Sequence, residues 1–352
     1  MSGSSQSGQD DGGTIGIAVI GCGGIGQTHA RAAREIPGAR LVGVSSRDPG
    51  KARRVGEAEG CRYTSDAGAL IGDPDVGLVT IATSSGSHAP LALQALAAGK
   101  HVVVEKPLAM SSADARRVIA AAEAGGLTLS VIFQRRFEPA FQAVAAAVAA
   151  GALGRLLLIE ASCPYARPQS YYDSAPWRGT LADDGGALMN QGIHLVDLLL
   201  WMGGPARRVV GQVATQMHRM EAEDLALAVV TLDSGALATL LASTNLAPGF
   251  PHALNLYGER GAIRTEGGAV THWGAAGVAP PVAPVNTEGA ASPGGAFWSL
   301  AQHRAQLADV VAAIHQRRPP AITGMDGLRA VALVEAVYES GRTGLPVTLR
   351  ER

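Results

Sequence analysis

Aromatic side chains are scarce in this 352-residue chain, which has 5 Phe, 6 Tyr and 4 Trp. A protein so poor in rings stacks few of them. Cysteine is scarcer still: Cys22, Cys61 and Cys163 are odd in number, lie far apart and show no Cys-x-x-Cys or Cys/His ligand spacing. That excludes a disulfide-stapled secreted domain and reads as three reduced thiols. Charge of one sign is lacking too. The 29 Lys+Arg and 30 Asp+Glu leave a formal net charge of −1, which offers nucleic acid or an acidic membrane surface no general attraction. No uninterrupted apolar stretch reaches the ~18–20 residues that span a bilayer. The richest candidate, Phe141 to Ile159, is mostly Ala and Gly and carries Gln142 and Arg155. No basic segment followed by an apolar one opens the chain. The expectation is a soluble, cytoplasmic protein without nucleic-acid or membrane partners.

What is present is a large apolar fraction, 47%, with only 17% charged residues, so a sizeable core can form. Dividing the length by ~150 residues per domain gives about two domains. Glycine is abundant at 45 residues, which implies many tight turns or close backbone approaches and argues against a coiled coil. Residues 1–13 are Ser, Gly, Gln and Asp and read as a disordered, solvated tail. From Thr14 short apolar strands alternate with helical segments: strands at Ile15–Ile20, Arg40–Ser46, Val76–Thr83, His101–Val104 and Thr128–Phe133, helices between them. That alternation predicts a doubly wound parallel α/β (Rossmann) domain over 14–136. Beyond it strands dominate, at Leu156–Ala161, Arg207–Gln216, Leu225–Leu232, Ala236–Ser243 and His252–Tyr257, with one helix over Leu188–Trp201. Residues 137–352 therefore read as a second, mostly antiparallel sheet domain. Gly267 to Gly295 reads as a long surface loop, followed by helices over Phe297–Gln316 and Asp326–Ser340.

Three clusters carry chemistry. Gly21-Cys22-Gly23-Gly24-Ile25-Gly26 follows the first strand and opens a helix, the context in which a Gly-x-Gly-x-x-Gly pattern holds a dinucleotide pyrophosphate. At the end of the second strand Ser46 and Arg47 replace the acidic residue that would bind a ribose 2′-hydroxyl. A hydroxyl and a guanidinium suit a 2′-phosphate, with Arg53 and Arg54 adding positive charge, so NADP(H) is favoured. Asp48 keeps NAD(H) open, because its carboxylate could turn in and serve the ribose. Thr83 and His88, at the end of the third strand and the start of the next helix, join the cofactor-binding candidates.

The second cluster, Glu105-Lys106-Pro107, stands at the carboxyl end of a parallel strand, where ligands bind. A lysine there can orient a substrate hydroxyl, and burial can tune its pKa. The third runs from Asp183 to Asp197. On a helix Asn190 and His194 share a face and Asp197 follows one turn on. His194 can take a proton near neutral pH. A metal held by His194 with Asp197 or Asp184 lacks a second His or Cys at ligand spacing, so none is expected.

Together, the glycine loop, Glu105-Lys106-Pro107, and Gly185-Gly186-Ala187-Leu188-Met189-Asn190-Gln191-Gly192-Ile193-His194 resemble the Gfo/Idh/MocA oxidoreductases. The resemblance runs from Thr14 to Val347 and includes Pro176-Trp177-Arg178-Gly179. It implies a Rossmann domain joined, over 137–352, to an α/β domain with a large, mostly antiparallel open sheet used for substrate binding and oligomerisation, NAD(P)-dependent oxidation or reduction of sugars and cyclitols, and homodimers or homotetramers. It places the catalytic lysine at Lys106 and the catalytic histidine at His194. The family position often held by Asp is Asn190 here, which can hydrogen-bond a hydroxyl but holds no charge. Flanking candidates for the substrate are Arg135, in Gln134-Arg135-Arg136-Phe137, and the segment from Tyr165 through Tyr171, Tyr172 and Trp177 to Arg178. Four of the fifteen aromatics fall between Tyr165 and Trp177, and such rings with polar tips suit a polyhydroxylated substrate. Two other readings stay open: a non-catalytic NAD(P)-binding regulator, and a reductase of a non-carbohydrate.

Overall fold

The computed structural model describes residues 13–281 and 300–349; the expected tail falls almost wholly outside them. The first half runs β1 (Ile15–Ile20), α1 (Gly24–Arg34), β2 (Ala39–Ser45), α2 (Pro49–Glu59), β3 (Arg62–Thr64), α3 (Ala67–Ile71), β4 (Leu78–Ile81), α4 (His88–Ala97), β5 (His101–Val104), α5 (Ser112–Gly125) and β6 (Leu129–Val131). The strands form one parallel sheet ordered β3-β2-β1-β4-β5-β6. Its central strands are covered on both faces, which is why β1, β4 and β5 are apolar runs rather than alternating ones. Helix starts follow the local chemistry: Asp48 accepts from the Lys51 backbone N–H to cap α2, with Pro49 in its first turn, and Ser111 caps α5. Strand order reverses between β1 and β4, so a crevice opens at their carboxyl ends, the place where such sheets bind ligands.

The second half runs α6 (Pro139–Ala149), β7 (Leu156–Pro164), α7 (Gln169–Asp173), a widened π-helical turn (Ala187–Gly192), α8 (Ile193–Gly203), β8 (Ala206–Ala214), β9 (Leu225–Leu232), β10 (Leu237–Ser243), β11 (Ala253–Gly258), β12 (Ala262–Glu266), β13 (Ala269–Trp273), α9 (Leu300–Gln316), α10 (Gly324–Thr343) and β14 (Val347–Thr348). These strands build an eight-stranded sheet, β13-β12-β11-β7-β10-β9-β8-β14, antiparallel except where β7 meets β10. One face packs on α8 and α10 through Ile159, Val230, Leu232, Ala238 and Leu240. The alternate residues Val210, Leu227, Val229 and Leu237 lie on the other face, exposed.

Three features depart from the sequence reading. The stretch from Gly267 is not a loop throughout: Gly267 and Gly268, both at positive φ, turn the chain so that β13 pairs back on β12, while residues 282–295 lie outside the described structure. The short edge strands β3 and β14 carry no apolar run and left no signal in the sequence. Finally, α9 returns to the first half of the chain. Leu307, Val310 and Val311 are buried against Ile17, Ala32, Leu78 and Val103, each burial contributing about 1.5–3 kcal/mol.

Candidate active site

The glycine loop is shaped as a cradle for a dinucleotide. Gly21 sits at φ +113°, and a Cβ there would stand 2.2 Å from the carbonyl oxygen of Ala82. A Cβ on Gly26 would stand 1.9 Å from the Gly21 carbonyl oxygen, so α1 packs against the turn only because that atom is missing. Gly23, by contrast, faces open space with nothing within 4 Å of a would-be Cβ. Gly23 is also the N-cap of α1, and neither a capping side chain nor a first-turn acid occupies the helix end, so the first N–H groups of Gly24, Ile25 and Gly26 face an anion site. These residues fit a pyrophosphate. Beyond β2, the Ser46 hydroxyl accepts from the Asp48 N–H (3.3 Å), Asp48 is committed to the cap of α2, and Arg47 is exposed.

Thr83 and His88 line the neighbouring strand ends. Thr83 Oγ1 accepts from the Ser87 hydroxyl at 2.7 Å. The buried His88 ring spans the Pro107 carbonyl (2.7 Å from Nδ1) and the Thr83 carbonyl (3.2 Å from Nε2), tying the end of β4 to the turn after β5. The Lys106–Pro107 peptide in that turn is cis.

Lys106 reaches from the end of β5 across to the π-helical turn. Its Nζ donates to the Asn190 carbonyl at 2.8 Å and to Asn190 Oδ1 at 2.9 Å. An ammonium has three N–H donors, so one is left for a ligand. Burial lowers the Lys106 pKa, while Glu105 and Asp184 pull it back up. The Asn190 amide is oriented from its other side, because its Nδ2 donates to Asp184 Oδ1. Asp184 is buried, and its second oxygen accepts from the Gly179 N–H at 2.8 Å. A carboxylate thus stands one amide away from the lysine. His194, on the first turn of α8, packs edge-on against Phe133. Its Nδ1 is buried with no hydrogen-bond partner. Burial, reinforced by Lys106 and Arg135, holds its pKa well below the usual histidine value, so the ring is neutral at neutral pH.

The surroundings hold these groups in place. Glu105, behind Lys106, lies 3.0 Å from His29 Nε2 on α1 and 3.5 Å from His303 Nε2 on α9. Burial pushes its carboxyl upward, but the two histidines outweigh that and keep it ionised. This is the one His/carboxylate group among the described residues close enough to share an ion, and it is not the His194–Asp197–Asp184 set weighed in the sequence. Asp197 is instead spent on Arg136, which grips it through Nε (2.9 Å) and Nη2 (2.6 Å) and also reaches Asp326 on α10. The π-helical turn itself hangs from Glu223: its carbonyl accepts from the Ala187 N–H and its carboxylate from the Leu188 N–H, both at 2.8 Å. Sequence reasoning missed Glu223, which has no motif around it.

The flanking candidates divide. Arg135 is buried in contacts with Glu138 (3.1 Å) and His252 (2.9 Å). Tyr172 is buried and donates to the Thr244 hydroxyl at 2.7 Å. Arg178 and Trp177 remain partly exposed, the guanidinium 4.5 Å from the Trp177 ring centre and 4.2 Å from that of Tyr171.

The parallel six-stranded sheet, the glycine cradle and the lysine–histidine pair define an NAD-binding oxidoreductase. Residues 15–133 match the model of the oxidoreductase family with an NAD-binding Rossmann fold, and 141–264 match the GFO/IDH/MocA C-terminal domain. The chain belongs to the Gfo/Idh/MocA family and is an NAD(P)-dependent dehydrogenase. It is 30% identical to the D-apiose dehydrogenase of Paraburkholderia graminis, over 95% of this chain and 89% of that one. It is equally 30% identical to the inositol 2-dehydrogenase of Acidothermus cellulolyticus, over 95% and 94% of the two chains. Among solved structures, the WlbA dehydrogenase from Bordetella pertussis, in complex with NADH and UDP-GlcNAcA, superposes with a TM-score of 0.86 at 30% identity, covering 96% of this chain and all of that one. Among the described residues no helix is long and apolar enough to cross a membrane.

Proposed function

We propose that this dehydrogenase interconverts a secondary alcohol and a ketone on a sugar, cyclitol or sugar derivative. The observation that carries the reading is Lys106 Nζ, held on Asn190 and close enough to the neutral His194 to help lower its pKa. The names of the relatives, apiose and inositol dehydrogenases, support the substrate class. When bound, the nicotinamide cofactor accepts or returns the hydride. The residues present handle binding and the proton. Gly21, Gly23, Gly24, Ile25 and Gly26 hold the pyrophosphate. The free N–H of Lys106 donates to the reacting oxygen and stabilises negative charge developing there. Neutral His194 takes the hydroxyl proton in oxidation and returns it in reduction. Asn190, itself oriented by Asp184, holds the lysine and orients the substrate.

NADP(H) is the favoured cofactor. Asp48, the residue that would serve a ribose 2′-hydroxyl, caps α2, while Arg47 and Ser46 stand open to a 2′-phosphate. WlbA was solved with NADH, so the preference is a property of this loop rather than of the fold. The reading also includes a cytoplasmic homodimer or homotetramer whose subunits cover the exposed Val210–Leu227–Val229–Leu237 face. The test is a panel of sugars and inositols assayed with NAD⁺ and NADP⁺. Turnover of at least one, faster with NADP⁺, is expected. No turnover across the panel refutes the substrate class, and a clear NAD⁺ preference refutes the role given to Arg47.

A further inference from the structure

Arg167 and Arg178 flank the ring of Tyr171, with guanidinium carbons 5.5 and 4.2 Å from its centre. Arg167 also packs on Tyr165 (5.8 Å) and Arg178 on Trp177 (4.5 Å). Neither makes a salt bridge among the described residues, whereas Arg318, covered to a similar degree, pairs with Asp309, and the more deeply buried Arg135 and Arg136 each hold a carboxylate. The polar contacts of their side chains are weak and neutral. Arg167 Nη2 donates to Gln191 Oε1 at 3.3 Å, and its Nε is buried without a partner. Arg178 Nε donates to the Ser174 hydroxyl at 3.1 Å.

The two cations are next to the reacting groups. Gln191, which Arg167 reaches, follows Asn190, on which Lys106 rests. Arg178 is close enough to disfavour the charged form of Lys106 and to favour that of Asp184. Arg167 and Arg178 therefore stand near Lys106, with Asp184 as the carboxylate that both Lys106 and Arg178 feel. A partly buried guanidinium without an anion is costly to keep, and stacking on rings fixes its fork instead of neutralising it. Such a preorganised, unspent fork matches a carboxylate or phosphate through paired charge-assisted hydrogen bonds.

We infer that the substrate is an anionic sugar, a hydroxylated ring bearing a carboxylate or phosphate that docks on Arg167 and Arg178 while a ring hydroxyl meets Lys106. This deepens the proposed function and rests on it for the position of the reacting hydroxyl. It also explains why the aromatic-rich segment carries arginine at two of its positions: the rings serve as platforms for the cations as well as for the sugar.

The test compares D-glucuronate and glucose 6-phosphate with D-glucose, by calorimetric binding to the cofactor-loaded protein and by turnover, in wild type, Arg167→Met and Arg178→Met. At least one anionic sugar is expected to bind ten-fold or more tighter than D-glucose, and the two anions tell a carboxylate from a phosphate site. Each substitution is expected to cut that preference at least five-fold. Equal binding of charged and neutral sugars, binding of neither anion, or a preference that survives both substitutions overturns the inference. A substitution that weakens D-glucose as much as the anion also overturns it, since that marks a packing role. The two readings fail separately: neutral sugars turned over without anion preference sink this inference alone, whereas an anion bound through both arginines but never oxidised sinks the catalytic reading alone.

Discussion

Asp197 offers a severe test of how the site is held. Its carboxylate takes two hydrogen bonds from Arg136, at 2.6 and 2.9 Å, and both side chains are under a tenth exposed. Burial works against charge on Arg136, but the Asp197 and Asp326 carboxylates outweigh it and raise its pKa. Asp197→Ala strands that guanidinium. Breaking a buried pair costs about 3–5 kcal/mol, and because Asp326 still stands 3.0 Å from Nη2 the low end, about 3 kcal/mol, applies. With an unfolding entropy of about 2.1 cal/mol/K per residue, the 352-residue chain has roughly 0.74 kcal/mol/K, so Tm falls by about 4 °C. Calorimetry with urea titration reads both numbers. The double variant Arg136→Met, Asp197→Leu removes the pair and leaves only the partly exposed Asp326 without its arginine, so it is expected to recover part of the loss. A single-variant loss under about 1 kcal/mol, or a double variant as damaged as the single, refutes the reasoning.

Further outcomes follow from the same geometry. Gly26→Ala places a Cβ 1.9 Å from the Gly21 carbonyl oxygen, so cofactor affinity measured by fluorescence titration is expected to fall more than ten-fold; wild-type affinity refutes the cradle. In the proposed role His194 accepts a proton only when neutral, and its pKa is held well below 6.5 by burial and by Lys106 and Arg135. The rate of oxidation is therefore retained through pH 6.5 and lost only as pH falls through that lower value. A kcat/KM profile with its acid midpoint at or above 6.5 contradicts this. Asp184 raises the Lys106 pKa, so Asp184→Asn is expected to move the alkaline limb of the profile to lower pH and to lower kcat/KM; an unmoved limb shows that the carboxylate is not coupled to the lysine.

Much of this architecture was legible in the sequence because it is written in periodicity and in glycine. The apolar runs of β1, β4 and β5 and the Gly21–Gly26 loop announce a buried parallel sheet with a helix end at its edge. Lys106 and His194 were visible through their motifs, and the structure brings Lys106 onto Asn190. What stayed hidden depends on long-range partners. Asp197 shares a helix with His194, yet nothing local says that Arg136, 61 residues earlier, claims it. Arg135 and Tyr172 were substrate candidates for their place beside the motifs and their polar tips; nothing local says that His252 and Thr244, far along the chain, contact them. Helical spacing also assumed a regular helix, whereas the chain opens with a π-helical turn at Ala187–Gly192 anchored on Glu223. Strands β3 and β14 escaped because short edge strands need no apolar pattern.

The central claim is that Lys106 and His194 work on one substrate oxygen beside the cofactor cradle. Its most direct test is single-turnover oxidation of a sugar accepted by the wild type, by Lys106→Met and His194→Asn enzymes loaded with cofactor. The account predicts a fall in the rate of each by about 10²–10⁴, with cofactor dissociation constants within two-fold of wild type. Turnover by either variant within a few-fold of wild type would contradict it.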